Sequence, residues 1–221
     1  MWYNETMRKT EFANGEYYHI YNRGVDKREV FLENADYFRF LKAIKVFNQI
    51  DPTGSLRIED RSEASRKEAS LLSSPPLVDF IAYCLNPNHY HFIVKQLEDR
   101  GVEKFMHKLG TSYTKYFNHK NDRSGVLFQG PFKSVHIDSN KYLLLLSAYV
   151  NANHRIHNYP EINWPYSSYL DYIGKRNGKL CQKEVILRQF NNDFDEYKNY
   201  VKINADYFKD KKEEKKYVLE D

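Results

Sequence analysis

The stretch at residues 77–95 constrains the fold more than any other part of the sequence. Two apolar runs flank an Asn-Pro-Asn turn at 86–88, in which proline fixes φ and asparagine tolerates the left-handed region. This pattern predicts a β-hairpin whose second strand begins with His-Tyr-His. Since side chains alternate along a strand, His89 and His91 would project from one face and form half of a metal site. The alternative is a pair of surface histidines, because a single His-x-His is weak evidence.

Length and composition restrict the class of protein. A chain of 221 residues is long enough for one sizeable domain with appendages. It contains no run of eighteen apolar residues and no secretory pattern at its N-terminus, so we expect no association with a membrane. Two cysteines are too few for a disulfide framework. We therefore expect a reduced, cytoplasmic protein.

Positive charge is concentrated in one part of the chain. Residues 100–138 contain seven Lys or Arg and three acidic residues, an excess equal to the +4 of the whole chain. Together with 19 Tyr and 14 Phe, many of which must be core, these cations suit the phosphates and bases of a nucleic acid. The alternative for each cation is a solvated surface. The candidate nucleic-acid contacts are Arg23, Lys27, Arg28, Lys104, Lys108, Lys115, Lys120, Arg123 and Lys133.

The order of predicted elements indicates an α+β fold. The expected elements are a strand at 16–23, a helix at 34–47, the hairpin at 77–95, a helix at 102–118, an extended segment at 125–137, a helix at 141–154 and helical segments within 181–210. This order is that of a ferredoxin-like split βαβ antiparallel sheet with helices on one face, plus C-terminal helices. The predicted organisation is a lead-in at 1–15, a domain at 16–174 with a mobile insertion at 51–76, and a charged helical extension at 175–221.

Two polar side chains in the helix after the last strand could complete a site. Tyr149 and Asn153 are four residues apart and therefore share one helix face. If that face packs beside the hairpin, Asn153 adds an amide oxygen to the two imidazoles, a set that suits Mg²⁺ or Mn²⁺. A phenol is a poor nucleophile until nearby cations lower its cost of ionisation. The alternative is that Tyr149 is a core aromatic.

Five blocks of sequence, in this order, resemble the REP-associated tyrosine transposases. These proteins are single-tyrosine transposases of the His-hydrophobic-His endonuclease superfamily, and the likeness extends over about residues 16–174. The blocks are YHIYNRG at 18–24, NPNHYH at 86–91, LFQGPFKS at 127–134, YVNAN at 149–153 and WPYSSY at 164–169.

The resemblance implies a catalytic domain that cuts single-stranded DNA beside a hairpin. By analogy, His89 and His91 bind a divalent metal, Mg²⁺ or Mn²⁺, and Asn153 completes the metal shell. Tyr149 would attack a backbone phosphate and form a 5′-phosphotyrosine link that a second strand's 3′-hydroxyl can reverse. The expected partner is single-stranded or hairpin DNA, and the expected protein is a monomer or homodimer in a bacterial cytoplasm, associated with the nucleoid.

The sequence departs from the family pattern at three places. Tyr90 occupies the middle of His-x-His, where an aliphatic residue is usual, Pro131 replaces a common Arg, and His154 replaces the proline that commonly follows Asn153. None of these changes removes a catalytic group, although Pro131 places one DNA contact in doubt. Two alternatives stay open: a domesticated module that binds nucleic acid without cleaving it, and a metal hydrolase that uses water as nucleophile.

Overall fold

A four-stranded antiparallel sheet organises the computed structural model, which describes residues 10–50, 74–159 and 164–218. Its strands are β1 (Tyr17–Arg23), β2 (Val78–Asn86), β3 (His89–Gln96) and β4 (Lys133–Ile137), arranged in the order β2-β3-β1-β4. Every neighbouring pair is antiparallel. This order confirms the predicted ferredoxin-like split βαβ arrangement.

The predicted hairpin is present, with β2 and β3 joined through a two-residue turn. Asn86 pairs with His89, so Pro87 and Asn88 are the turn residues. The extended segment predicted at 125–137 is a strand only over Lys133–Ile137, with an isolated bridge from Phe128 to Gly24.

Seven α-helices and two 3₁₀ turns lie within the described residues. The 3₁₀ turns are Val25–Lys27 and Arg188–Phe190. The helices are α1 (Asn34–Phe47), α2 (Gly101–Lys120), α3 (Asn140–Asn151), α4 (Asn153–Ile156), α5 (Tyr169–Tyr172), α6 (Glu184–Leu187) and α7 (Phe194–Val218). None of the helices in this part of the chain is long and apolar enough to cross a bilayer.

Two predicted helices are interrupted. The helix expected at 141–154 divides at Ala152, whose φ and ψ of −95° and 2° separate α3 from α4. The helical pattern at 181–210 divides at Asn191 and Asn192, whose φ values are 51° and 59°. Asparagine tolerates this left-handed region, so it ends the first helical segment before α7 begins.

Helices cover both faces of the sheet, which corrects the expectation that they lie on one face. On one face, Phe40 of α1 packs against the rings of Tyr90 and Phe92, and Tyr113 of α2 packs edge-on against Phe40. On the other face, α3 packs against β2 and β3. The reason lies in the strands themselves: nearly every residue of β2 and β3 is buried, so both faces need a covering layer.

The buried Tyr197 of α7 connects this last helix to α3 through hydrogen bonds. The Tyr197 hydroxyl accepts a hydrogen bond from Asn151 Nδ2 at 2.7 Å and donates to Ser147 Oγ at 3.2 Å. Much of the predicted lead-in and of the predicted insertion, residues 1–9 and 51–73, lies outside the described residues.

Candidate active site

The four side chains singled out from the sequence lie together between β3 and the α3–α4 junction. His89 and His91 project from the sheet face that α3 covers, with ring centroids 5.3 Å apart. The ring of Tyr149 meets that of His91 edge-on at 5.4 Å. Asn153 Oδ1 lies 3.0 Å from His89 Nε2.

A hydrogen bond orients the ring of His89. Asn88 donates through Nδ2 to the backbone oxygen of Lys27, which turns its Oδ1 toward His89 Nδ1 at 2.5 Å. Since an amide oxygen only accepts, Nδ1 of His89 carries the proton. Its other nitrogen, Nε2, therefore presents a lone pair to the site.

His91 is oriented by a third histidine. His91 Nδ1 and His19 Nε2 are 2.9 Å apart, and the two rings stack at 5.1 Å. His19 is buried on β1, and its hydrogen-bond partner belongs to the site. Nothing local in the sequence gives the β1–β3 register that joins them.

Burial keeps the imidazoles neutral. Desolvation lowers the pKa of His89 to about 4, and Lys212 and Arg23 add to the effect while Asn153 opposes it. Desolvation, with smaller contributions from His19, His89 and His157, lowers the pKa of His91 well below its usual value. Neutral imidazoles have free lone pairs at neutral pH, which is the state that binds metals.

Tyr149 lies in a surrounding that disfavours its anion. Burial raises the pKa of the Tyr149 phenol, and Asn153 acts in the opposite direction. Phe208 of α7 packs edge-on against the same ring at 5.0 Å. The phenol is therefore protonated at neutral pH, and a nearby positive charge is needed to lower the cost of ionising it.

The donor atoms fit a divalent cation. Among the described residues, no group of three or more His, Cys, Asp or Glu side chains is placed to hold a metal, so the fit depends on an amide. Asn153 supplies it: Oδ1 meets His89, while the buried Nδ2 has no hydrogen-bond partner in the described part of the chain. The unpaired Nδ2 leaves Oδ1 as the amide atom that faces the two neutral imidazoles, and an amide oxygen is the atom that would bind a divalent cation.

Two further polar residues adjoin the site and were not predicted as part of it. Asn86, which the sequence indicated only as a turn residue, donates Nδ2 to both His89 and Asn153. His157 places its ring 4.5 Å from that of His89 and accepts from Lys212 of α7. Asn86 could have been found from alternation, since it lies on the same sheet face as its partner His89.

The candidate DNA contacts on α2 adjoin a groove on the opposite side of the sheet. This groove, of about 880 Å³, runs between α2 and the segment at 126–132. Its basic lining comes from Lys104 and Lys115, with Arg100 added by the structure, and Phe128 and Phe132 supply aromatic surface. Lys108 lies on the same helix, half-buried and outside the groove lining.

The other candidate contacts divide into exposed and engaged cations. Lys27, Arg28 and Lys133 are exposed, with Arg28 3.8 Å from Asp26. Arg23 is exposed at the end of β1 and donates to Gln129.

Two of the candidate cations serve the fold. Arg123 donates to Asn118 Oδ1 at 2.7 Å, and Lys120 Nζ lies 2.5 Å from the fully buried carboxylate of Asp36. Lys120 also pairs with Glu33 at 2.7 Å. These contacts explain both cations without a nucleic acid.

Replacement of Lys120 by alanine is expected to destabilise the protein by about 1–2 kcal/mol, because the buried carboxylate of Asp36 loses its cation. The hydrogen bond that Tyr116 donates to Asp36 remains and limits the loss. Urea unfolding measures this change. Lys115→Ala, on the exposed face of the same helix, is the control and should leave stability unchanged. Equal stability of both variants would contradict the structural role of Lys120.

Comparison with known proteins agrees with the predicted resemblance. Residues 69–153 match the family model described as "Transposase IS200 like". A solved structure of a REP-associated tyrosine transposase bound to a REP hairpin is similar, with a TM-score of 0.52 and 15% sequence identity, over 77% of this chain and 86% of that chain. Among curated proteins, no match is found. The chain is thus similar to the IS200-like transposases over residues 69–153 and shares the fold of a REP-associated tyrosine transposase, which confirms the resemblance predicted from the sequence.

Proposed function

We propose that this protein is a metal-dependent single-stranded DNA endonuclease and strand transferase that acts at or near DNA hairpins. The observation that carries the proposal is the convergence of Tyr149 with His89, His91 and Asn153. The IS200-like family match supports the reaction class. The similar solved structure, a tyrosine transposase bound to a REP hairpin, supports hairpin DNA as the substrate.

His89, His91 and Asn153 would hold the divalent ion, Mg²⁺ or Mn²⁺. When bound there, the ion supplies a positive charge that polarises a phosphoryl oxygen and eases ionisation of a nearby phenol. Asn88 and His19 keep the two imidazole rings turned toward the site.

Tyr149 acts as nucleophile. Its oxygen attacks a backbone phosphorus, the bond from phosphorus to the 3′-oxygen breaks, and the phenol proton is lost to solvent while the leaving 3′-oxygen gains one. The products are a 5′-phosphotyrosine link and a free 3′-hydroxyl. Attack by the 3′-hydroxyl of another strand reverses the step, so rejoining needs no external energy source.

All four side chains lie together within one chain, which supports a reaction carried out by a single subunit. We propose that Tyr149 acts in cis and that a monomer is active. With a DNA-processing role, the protein would act in the cytoplasm, in association with the nucleoid.

The position of the groove supports a route for the DNA around the sheet. The basic surface of α2 and the nucleophile lie on opposite faces of the sheet, so DNA that reaches both has to cross from one face to the other, and we propose that it does so at a sheet end. Asn22 and Arg23 mark that end: Asn22 lines the groove, while Arg23 pairs in register with His89 on the other face. Arg23 is close enough for its charge to lower the pKa of His89.

Removal of both Lys104 and Lys115 is expected to weaken binding of single-stranded hairpin DNA and to reduce its salt dependence by roughly 0.7–0.9 in log–log slope for each lost phosphate contact. Fluorescence anisotropy over a range of salt concentrations measures both effects. Lys198→Ala on α7 is the matched control. An unchanged slope in the double variant would contradict a DNA path along this groove.

The function itself is tested with labelled single-stranded hairpin DNA and Mg²⁺ or Mn²⁺. The expected result is a protein–DNA complex that survives denaturation and disappears when a chelator is added first. Cleavage without a protein-linked product would favour a hydrolase that uses water, and binding without cleavage would favour a domesticated binding module. Either result would contradict the proposal.

A further inference from the structure

Asn86 lies at the point where the proposed metal ligands converge. Its side chain is fully buried at the end of β2. Nδ2 is 2.9 Å from His89 Nε2 and 2.6 Å from Asn153 Oδ1, and those two atoms are 3.0 Å from each other. The three atoms thus form a small triangle, with two acceptors and one amide nitrogen.

The amide of Asn86 satisfies the lone pairs that a cation would need. An amide nitrogen has two N–H groups, one for each acceptor in the triangle. A cation bound by His89 and Asn153 takes the single lone pair of Nε2 and one of the two lone pairs of Oδ1, which leaves an N–H group of Asn86 beside a positive charge. That arrangement is repulsive, and rotation of the Asn86 amide relieves it.

The surroundings of Asn86 permit such a change. Its Oδ1 faces the thiol of Cys84, with Sγ 3.6 Å away. Oxygen and nitrogen of an amide are nearly equal in size, so a half-turn about the last side-chain bond preserves the packing. After the half-turn Nδ2 faces the sulfur, a weak acceptor, and Oδ1 faces His89 and Asn153.

We propose that Asn86 is an additional ligand of the divalent ion. When the ion enters, the side-chain amide of Asn86 rotates and presents Oδ1 to it. This inference rests on the proposed metal site and deepens it. With Asn86, the number of protein ligands increases from three to four, namely two imidazole nitrogens and two amide oxygens. The second amide oxygen biases the site toward ions that accept both nitrogen and oxygen ligands, such as Mn²⁺.

The test is calorimetric titration of the full-length protein with Mn²⁺ in the absence of DNA, so that the readout is affinity and not activity. Asn86→Ala is expected to weaken binding by more than the roughly 10-fold that loss of a supporting group costs, because it removes a ligand. Asn86→Asp is expected to bind more tightly than the parent, because a carboxylate is a stronger oxygen ligand without N–H groups. Asn121→Ala, which removes a half-buried amide at the C-terminal end of α2, is the control and should match the parent.

Unchanged or tighter Mn²⁺ binding by Asn86→Ala would overturn the inference. The Asn86 amide would then only hydrogen-bond to the empty site and would not bind the ion. If Asn86→Ala does not fold, as judged by thermal unfolding without metal, Asn86→Asp decides, and binding equal to or weaker than the parent overturns it. His89→Ala separates the two proposals. Lost binding in His89→Ala with unchanged binding in Asn86→Ala rejects the ligand role of Asn86 alone, whereas unchanged binding in His89→Ala rejects the metal site and the inference together.

Discussion

Tyr149→Phe is expected to reduce covalent attachment to DNA by more than about 10³-fold, because the variant keeps the ring but loses the nucleophilic oxygen. The ring contacts with His91 and Phe208 do not involve the hydroxyl, so the fold should be unaffected. Affinity for hairpin DNA should also be retained. Denaturing gels of labelled DNA measure attachment, and anisotropy measures binding.

Tyr142→Phe is the matched control for this change. Tyr142 lies two turns earlier on α3, half-buried, on the same side of the helix as Tyr149. Its hydroxyl should be dispensable for attachment. Persistence of the adduct in Tyr149→Phe would assign the chemistry to another group.

His89→Ala is expected to lower the affinity for Mn²⁺ by more than about 100-fold, since it removes a ligand and not merely a supporting group. The loss also leaves Asn86 and Asn153 without their imidazole partner. Cleavage should fall with metal affinity and recover only in part at high Mn²⁺. Calorimetry measures the affinity, and the gel assay measures cleavage over a series of Mn²⁺ concentrations.

His119→Ala provides the control for loss of an imidazole, because His119 is exposed on α2, across the sheet from the site. Its metal affinity and cleavage should equal those of the parent. Undiminished cleavage by His89→Ala, or cleavage that continues with chelator, would count against a metal held by the hairpin histidines.

Local patterns in the sequence were sufficient for the hairpin and for much of the site. Alternation along β3 places His89 and His91 on one face, and a four-residue spacing places Tyr149 and Asn153 on another. Both relations are set by backbone periodicity, which a sequence displays directly. That the two pairs meet depends on how α3 packs against the sheet, and this was a hypothesis that only a three-dimensional structure could address.

Features that depend on partners distant in sequence were not predicted. The contact of His19 with His91 follows from the β1–β3 register, and the place of Asn86 follows from where Asn153 arrives. The contact between Lys120 and Asp36 likewise joins residues that are 84 positions apart in the sequence. Since the sequence does not show this pairing, the local charge pattern predicted a DNA contact for Lys120. In each case the deciding partner lies on another element.

The helices on both faces illustrate the same limit. Strands β2 and β3 read as nearly continuous apolar runs, which indicates burial on both sides. The expectation of a single helical layer came from element order alone, which does not say which face each helix covers. The polar site is buried because α3 lies on the second face, and α7 then packs over α3.

The most direct measurement is to identify the residue that carries the DNA. After reaction with hairpin DNA and Mn²⁺, digestion by protease and nuclease leaves a peptide bearing a nucleotide, which mass spectrometry can sequence. The account predicts a 5′-phosphate linked to the oxygen of Tyr149. A nucleotide on any other side chain, or cleaved DNA with no modified peptide, would contradict it.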